Sequence, residues 1–394
     1  MRIRNYQQMA RELKADPRRF KAELTEALAA KELTPEDFSI RECAEHFVED
    51  GREWVRSMDP RFGGGTFVES MDAVNSTHFA NITGQIAFSR IMAAAQSEDN
   101  PFSATIPTQS TSLSGERIPG ITGLGDTAEI VNEGAAYPRV GVSEDYIETP
   151  ATTKRGHIVP VTKEAIFFDQ TGELLNRCSK VGESLAQNKE KRAIDCVIDE
   201  NTTAHRYKWR GTTIATYGDS SGSHNWDNLE SNNGLVDYTD VEKLELLLAA
   251  IVDPNTGEPI TVMADTLICT PQLVHTARSI INATMIRLQA GGFATSGDLL
   301  SRESPNPLGG GPFSANYKFL TSRLMAARLG TDTSWFLGNP SKAFVYMENW
   351  PITVVQAPQN SEEEFTNDIV VRYKASERGA YATLDPRLMA KATA

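Results

Sequence analysis

A polar, β-branched stretch that runs directly into a long helical pattern constrains this chain more than any other feature. Residues 129–162 read EIVNEGAAYPRVGVSEDYIETPATTKRGHIVPVT and alternate like strands, but they hold too few apolar side chains to bury two faces. We therefore expect an extended hairpin that projects from the body of the fold. A helical pattern follows over residues 162–200, and this combination suits a subunit that reaches over its neighbours.

The helical pattern has a single apolar face. Apolar residues recur every three to four positions, at Leu174, Cys178, Val181 and Leu185. Asp169 is a suitable N-cap for the main run. The pattern therefore predicts a half-buried amphipathic helix over about 169–198. Its polar face is predicted to carry Glu173, Lys180, Glu183, Lys189, Glu190 and Lys191.

The charge balance is acidic. The 394 residues include 39 Lys and Arg against 52 Asp and Glu, a formal net charge of −13. This balance argues against binding nucleic acid with the whole surface, because such binding needs cations that displace counterions. It still allows a container that encloses nucleic acid. No stretch approaches the ~18–20 apolar residues of a membrane span, and the charged, amphipathic N-terminus does not resemble a secretory signal.

The cysteine pattern predicts neither a disulfide framework nor a zinc site. The four cysteines, Cys43, Cys178, Cys196 and Cys269, are far apart and form no CxxC pair. Cys178 lies on the apolar stripe and Cys269 ends the run TLIC, so both are predicted to be small buried residues. The pattern fits a reducing cytoplasm.

Residues 1–60 are predicted to form a separate helical block. Asp16, which precedes a proline, has the residue type of an N-cap. Ser39, with glutamate three residues later, has the spacing of a capping box. Gly51 is predicted to end the helix that Ser39 begins. A glycine-rich linker follows at Met58–Gly65.

An arm is predicted after the linker. Its helix covers Asn81–Gln96, and irregular sequence flanks that helix. Residues 101–126, PFSATIPTQSTSLSGERIPGITGLGD, are too polar and too rich in turn residues to bury much of themselves. We therefore expect other chains to order this segment.

Helices and strands are interspersed over the rest of the chain, so the fold class is α+β. Thr239 is the predicted N-cap of the first helix in this part, with Glu242 three residues later. The predicted helices are Thr239–Ile251 and Pro271–Ile286. The predicted strands are Ile260–Cys269, Tyr317–Leu324, Trp335–Gly338, Ala343–Tyr346, Trp350–Ala357, Phe365–Ala375 and Gly379–Ala382.

In this order, the segments resemble the major capsid proteins of tailed phages, which have the Hong Kong 97-type fold. The resemblance spans roughly residues 66–390 and rests on order and local pattern. VNSTHFANITGQIAFSRIM resembles the N-arm helix, residues 129–161 resemble the E-loop, and Thr162-Lys-Glu164 with Asp169 resembles the start of the P-domain spine helix. DTLICTPQLVHTARSII resembles an A-domain strand and helix. WFLGNPSKAFVYMENWPITV and FTNDIVVRYKASERGAYATLDPR resemble the last A-domain strands and the returning P-domain strands.

The resemblance implies a division of the chain into six segments, with an N-terminal block that could be scaffolding-like. It also implies that the spine helix can be bent or straight, and Gly172 and Gly182 are expected to soften it. The implied segments are 1–60 helical block, 61–127 N-arm, 128–162 E-loop, 163–225 spine helix and following loop, 226–348 A-domain, and 349–394 returning P-domain strands and C-terminus.

The function implied by the resemblance is structural, not enzymatic. Copies would self-assemble as hexamers and pentamers into an icosahedral shell around double-stranded DNA, in a tailed phage or prophage. The shell would form in the host cytoplasm and become the virion capsid, with scaffold, portal and decoration proteins as further candidate partners and no membrane or cofactor. The implied inter-subunit residues are Glu133, Arg139, Glu144, Asp145, Lys154, Arg155, His157 and Arg372.

Two other functions compete with this one. An encapsulin-like cargo shell would share the fold, but we expect a shorter chain for it. A cytosolic serine hydrolase would use Ser220, which lies in the GxSxG sequence Gly218–Gly222 with His224 and Asp227 nearby. A nucleophile elbow requires a helix after the turn, and a loop sequence follows here, so a surface turn is favoured.

Basic and metal-binding patterns give little support to other sites. Residues 205–210, HRYKWR, mix basic and aromatic side chains as single-strand nucleic-acid binders do. An inter-subunit salt-bridge patch against Glu362–Glu364 or Glu144-Asp145 is favoured instead, because the net charge opposes nucleic-acid binding. The six histidines are scattered without an HExxH motif, so no metal site is expected. No phosphate-binding glycine motif is present.

Overall fold

The computed structural model contains two compact units, each made of several chain segments. Unit 1 comprises Met1–Asp99, Thr153–Asn188 and Trp350–Arg378, and unit 2 comprises Asn100–Thr152, Lys189–Asn349 and Gly379–Ala394. The structure describes residues 6–48, 50–57, 73–97, 100–119, 131, 146–199, 207–209, 211–219, 226–252, 259–260, 263–289, 301–306, 308, 317–331, 333–357 and 368–394.

Helices and strands alternate along the described chain, in agreement with the α+β class. The helices are α1 Tyr6–Ala15, α2 Pro17–Ala29, α3 Ile40–Phe47, α4 Gly51–Ser57, α5 Ala73–Ser97, α6 Pro101–Thr105, α7 Lys163–Phe167, α8 Thr171–Ile198, α9 Tyr238–Ala249, α10 Val274–Asn282, α11 Arg323–Leu329 and α12 Pro340–Ala343. The strands are β1 Thr108–Ser110, β2 Arg117–Pro119, β3 Tyr146–Glu148, β4 Thr153–Thr162, β5 Tyr207–Trp209, β6 Thr212–Ile214, β7 Leu229–Ser231, β8 Thr266–Cys269, β9 Met285–Gln289, β10 Ser301–Pro305, β11 Lys318–Leu320, β12 Trp335–Gly338, β13 Phe344–Gln356, β14 Ile369–Thr383 and β15 Met389–Thr393.

Unit 1 has one hydrophobic core, and the N-terminal helices are part of it. Helices α1 to α4 therefore do not form a separate block. Their apolar faces are one-sided, so they need a neighbouring surface, and α5, α8, β4 and β14 supply it. The core includes Phe20, Leu24, Phe38 and Phe47 from the N-terminal segment, Ile82 and Ile91 from α5, Val159 and Val161 from β4, Leu174 and Cys178 from α8, and Tyr373 from β14.

The predicted starts of α2 and α3 are confirmed. The Asp16 side chain accepts backbone N–H groups at the start of α2, which has proline at its first position. Ser39 accepts the Glu42 N–H at the start of α3. The role of Gly51 is corrected, because α3 ends at Phe47 and Gly51 begins α4.

The predicted long helix is broken near its start into α7 and α8. Asp169 stands between them with φ 49° and is not the cap that was predicted. Its Oδ1 accepts hydrogen bonds from Ser39 Oγ at 3.0 Å and Thr171 Oγ1 at 2.7 Å. The Ile40 N–H donates to Thr171 Oγ1 at 2.9 Å. These contacts hold the start of α3 against the α7–α8 junction and explain why an uninterrupted helix does not form.

The predicted arm buries itself within its own chain. Helix α5 places Ile82, Ile86 and Ile91 in the unit 1 core, where they are at most 6% exposed. In unit 2, Phe102 and Ile106 are buried, and β1 pairs in parallel with β13. The expectation that other chains order this segment is therefore wrong for its described part. Apolar residues at helical spacing, although few, are sufficient to anchor it.

The described end of the predicted hairpin belongs to a larger sheet. Strand β4, the last third of the expected E-loop, pairs with β14 at one edge of the sheet β1-β13-β14-β4. Val159 and Val161 are buried in the unit 1 core, which explains why this strand stays with that core. Strands β2 and β3, on either side of residues 120–145, pair antiparallel.

Unit 2 is built around the five-stranded sheet β11-β8-β12-β15-β7. The central strand β12 has the same first and last residues as the predicted strand, and all four of its residues are buried. The Trp335 indole donates to the Asn233 carbonyl oxygen at 2.9 Å. The N-cap of helix α9 lies two residues earlier than predicted, because Asp237 and Asp240 form its capping box and Thr239 is not the cap.

All four cysteine thiols are buried and free. Burial raises the pKa of Cys178 and Cys269 to about 11, and it also raises the pKa of Cys43 and Cys196.

Because the thiolate is the reactive form, we expect no cysteine of the folded protein to react with Ellman's reagent at pH 7.5, and all four to react in 6 M guanidinium chloride. A thiol that reacts quickly in the folded protein would contradict this burial.

Candidate inter-subunit surface

A small four-stranded sheet in unit 2, of order β2-β3-β5-β6, contains the two strands that flank residues 120–145. Ile118 pairs with Ile147, and Ile147 pairs with Trp209 on the other side. The Ile147 side chain is only 2% exposed. This buried central strand fixes where the chain leaves and returns. Between β2 and β3 lie residues 120–145, a connection far longer than the two to five residues of an ordinary hairpin loop.

Charged and aromatic contacts hold this sheet together. Glu148 forms ion pairs with Arg117 at 3.3 Å and with Lys208 at 3.2 Å. The Arg117 guanidinium also lies 4.7 Å from the centre of the Tyr146 ring, in a cation–π contact. Individually such exposed pairs stabilise little, but here they join three neighbouring strands.

Lys208 forms an ion pair with Glu148 of the same chain. The predicted inter-subunit salt-bridge patch against Glu362–Glu364 or Glu144-Asp145 stays a prediction, because those acidic residues lie outside the described residues. The other basic residues of the stretch lie outside the described residues. Sequence reasoning missed Glu148 because only the pairing of β3 with β5 brings it beside Lys208.

The structure places Lys154, Arg155 and His157 together on β4. This strand is the last of its sheet, so one of its edges has no partner strand within the described residues. Arg155 donates to Thr153 Oγ1 at 2.8 Å, and His157 Nε2 lies 3.2 Å from Ser184 Oγ. Ile158 is 58% exposed. A lysine on such an edge protects it from indiscriminate strand pairing, while the edge can still accept a specific partner.

Arg372 is on β14, the strand that pairs with β4. It is half-buried, and its carbonyl oxygen accepts the Ala357 N–H at 2.9 Å. Four of the eight predicted residues therefore lie on two adjacent strands of unit 1. The other four, Glu133, Arg139, Glu144 and Asp145, lie outside the described residues.

The charges of the two candidate partners are opposite. Strands β4 and β14 carry Lys154, Arg155, Arg372 and Lys374, none of which is fully buried. Residues 120–145 contain five acidic residues and one arginine, a net charge of −4. Opposite charges of this kind steer association and fix register more than they add affinity.

The structure gives no support to a hydrolase site. Ser220 and His224 lie outside the described residues. Asp227, the third expected member, is half-buried and its Oδ1 accepts the Leu229 N–H at 3.5 Å. Among the residues that the structure describes, no three His, Cys, Asp or Glu side chains are placed to hold a metal ion. Within the same residues, no helix is both long and apolar enough to cross a membrane.

Glu190 is buried, although the sequence pattern predicts it on the exposed face of α8. Its side chain is 0% exposed and lies in unit 2. It accepts the Phe102 N–H at 2.9 Å, the Ser103 N–H at 2.8 Å and the Ser103 hydroxyl at 2.6 Å. The carboxylate thus accepts hydrogen bonds from backbone N–H groups in the first turn of α6, which have no acceptor within the helix. The one feature of the sequence that indicates a helix start at this place is Asn100-Pro101, and it does not point to Glu190.

Comparison with known proteins gives one family match. A sequence model described as phage capsid protein matches residues 146–392, more than half of the chain. No curated protein sequence matches.

Several solved structures resemble the chain weakly. They include a chain of Gordonia phage Cozz (13% identity, TM-score 0.41, 75% of this chain and 86% of that one) and the capsid of a native GTA particle (11%, 0.44, 75% and 90%). A third is the holo-SrpI encapsulin complex of Synechococcus elongatus PCC 7942 (12%, 0.40, 75% and 87%). These scores are too low to add to the family match.

Proposed function

We propose, from the premise that this chain belongs to the phage capsid protein family, that its copies close as hexamers and pentamers into an icosahedral shell around double-stranded DNA. The chain is a structural subunit that self-assembles into the capsid shell of the virion, and it is not an enzyme. The proposal concerns how copies interlock, what they enclose and where they assemble.

The evidence for interlocking copies is the long connection between the paired strands β2 and β3. Strands β2 and β3 are short and paired, yet residues 120–145 connect them. Connections of this length inside a compact unit are usually functional or linkers. A segment that starts from a firmly held base and returns to it is suited to reaching a second copy.

The surface that this segment reaches is, in our proposal, the basic edge of β4 and β14 on a neighbouring copy. Glu133, Glu144 and Asp145 of one copy would face Lys154 and Arg155 of another. The contribution of each exposed pair is small, about 0–1 kcal/mol. Repeated in every subunit of a shell, the pairs set the register between copies.

The acidic balance of the chain suits enclosure rather than tight binding of DNA. A net charge of −13 disfavours strong attachment to phosphates, and contents that adhere weakly can be packed and released. Assembly would take place in the host cytoplasm, with scaffold, portal and decoration proteins as candidate partners. A scaffolding-like role of residues 1–60 stays a prediction, and the packing of α1 to α4 into the unit 1 core favours their retention in the subunit.

Negative-stain electron microscopy and analytical ultracentrifugation of the purified protein test the proposal. We expect closed shells from the wild-type chain, alone or after co-expression with neighbouring genes. Nuclease-protected double-stranded DNA in shells from infected or induced cells would support the phage function, whereas a protein cargo would favour the encapsulin-like alternative. A subunit that stays monomeric under all these conditions would overturn the proposal.

A charge-reversed variant tests the proposed surface. We expect K154E/R155E to reduce the fraction of protein in shells at least about tenfold, because like charges then face each other at every copy of the contact. The matched control R11E/K14E changes the same charge on the exposed face of α1 and should assemble normally. Equal assembly of both variants would show that the hairpin docks elsewhere.

A further inference from the structure

A groove crosses unit 1 between α2, α5 and the end of β13. It consists of two adjoining cavities of about 190 and 430 Å³, which share Lys21 and Gln85 in their walls. Most of the other wall residues are apolar, among them Leu24, Ile82, Phe88 and Val355. Phe88 is 37% exposed and Val355 is 51% exposed, so part of this apolar surface is open to solvent.

The floor of the larger cavity is fixed by the packing of α5 against β14. A Cβ at Gly84 would lie 3.2 Å from the Tyr373 ring, so glycine allows the ring to approach the helix closely. The Tyr373 hydroxyl is hydrogen-bonded to Thr83 and the ring is almost fully buried, which holds it in place. The groove is therefore preformed, as binding sites usually are.

The groove continues along the outer face of α2 as a shallow cavity of about 510 Å³. This face carries the small exposed residues Ala22, Thr25 and Ala29. The distance at which two helices pack depends on the side chains at their contact, and small ones allow a close approach. The helix extends about 16 Å from Arg18 to Ala29, or about three turns. These dimensions suit a second α-helix.

The charge of the groove is opposite to that of the whole chain. Among the described residues, the two deeper cavities have no acidic side chain in their walls, and the shallow one has only Glu26. Arg18 and Lys21 form no ion pair within this part of the chain, whereas the neighbouring Arg19 pairs with Glu23 at 2.8 Å. In a chain of net charge −13, such a groove is complementary to carboxylates on an apolar partner.

The described part of this chain does not supply the complementary surface. Each of its described helices has at most one large apolar side chain that is exposed, such as Leu246 on α9. A groove with several apolar walls is filled by a stripe of apolar anchors spaced three or four residues apart on one helix. The partner that fits is therefore a separate protein.

We propose that this groove binds an acidic amphipathic helix of a separate protein that takes part in shell assembly. The inference rests on the proposed shell-forming function. Aliphatic side chains of the helix would enter the two deeper cavities, and the helix backbone would lie along Ala22 and Ala29. Carboxylates beside the apolar stripe would pair with Arg18 and Lys21, which fixes the direction of the helix more than it adds affinity.

A labelled peptide tests the groove. The probe is a fluorescein-labelled peptide of about 18 residues, with leucine at every third or fourth position and glutamate elsewhere. In fluorescence anisotropy we expect it to bind the wild-type protein, and to bind R18E/K21E at least about tenfold more weakly. The same peptide with lysine in place of glutamate should also bind at least about tenfold more weakly.

The matched control is K180E/K191E, which reverses two exposed lysines of α8 and should bind the peptide like the wild type. No binding to the wild type, or equal binding to R18E/K21E, would overturn the proposal. If R18E/K21E failed to form shells in the absence of any other protein, the groove would belong to a contact between copies, and the proposal would again be wrong.

A steric variant covers the case in which charge reversal unfolds the subunit. Ala22→Trp keeps the charge and fills the outer face of α2, and we expect at least about tenfold weaker binding with an unchanged urea midpoint. The control Ala249→Trp, at an exposed alanine of α9, should bind normally. Undiminished binding to Ala22→Trp would refute the groove. Wild-type shells that do not bind the peptide would refute only this inference, whereas a wild type that never assembles would refute the proposed function.

Discussion

Gly182→Ala is expected to lower the free energy of unfolding of the subunit by about 2 kcal/mol, although alanine favours a helix by about 1 kcal/mol over glycine. A Cβ at residue 182 would lie 2.3 Å from the backbone oxygen of Ile91 and 3.1 Å from Ala94 Cβ. The nearest atom belongs to the backbone of α5 and cannot rotate away. Helices α5 and α8 would have to separate, and the surrounding core would lose its packing.

Gly172→Ala is the matched control, because nothing lies within 4 Å of a Cβ at that position. We expect it to be neutral or to stabilise by up to about 1 kcal/mol. Urea denaturation followed by tryptophan fluorescence measures both variants. One of the reporting side chains is Trp54 in unit 1, which packs against Phe79 of α5. Equal stability of the two variants would mean that α5 and α8 are not in close contact at Gly182.

This difference also bears on the flexibility of α8. Both glycines were expected to soften the helix. A Cβ at Gly172 would meet no neighbouring atom, whereas a Cβ at Gly182 would meet the backbone of α5. A change in the bend of α8 at Gly182 would disrupt this packing. The close packing of α5 therefore argues against bending at Gly182.

Glu190→Ala is expected to lower the free energy of unfolding by about 3 kcal/mol, because it leaves buried donors without an acceptor. The Phe102 N–H and the Ser103 N–H lose their acceptor, and the Ser103 hydroxyl keeps only the Asn100 carbonyl oxygen at 3.4 Å. The start of α6 would then have to open to water. Thermal unfolding by calorimetry measures the loss, and hydrogen exchange at Phe102 and Ser103 locates it.

Two variants bracket this result. Lys191→Ala removes the exposed neighbour of Glu190 and should change stability by no more than about 0.5 kcal/mol. Glu190→Gln keeps one acceptor oxygen and should fall between the two. If Glu190→Ala were as stable as Lys191→Ala, the carboxylate would not be the cap of α6.

The sequence by itself determined the elements whose cause is local. Asp16 and Ser39 cap helices because their side chains accept hydrogen bonds from backbone N–H groups two or three residues further along the chain. Strand β12 and the buried face of α8 follow from runs and spacings of apolar residues. The same patterns, taken in order, identified the capsid family.

The tertiary structure decided whatever depends on distant segments. Asp169 became a partner of Ser39 instead of a helix cap, and Glu190 became buried, because chain segments far away in sequence supplied the donors. The arm and β4 joined the body of the fold for the same reason, since burial depends on which apolar surfaces meet and not on local polarity. The spacing of apolar residues shows which face of a helix or strand is buried. Only the tertiary packing determines which residues it contacts.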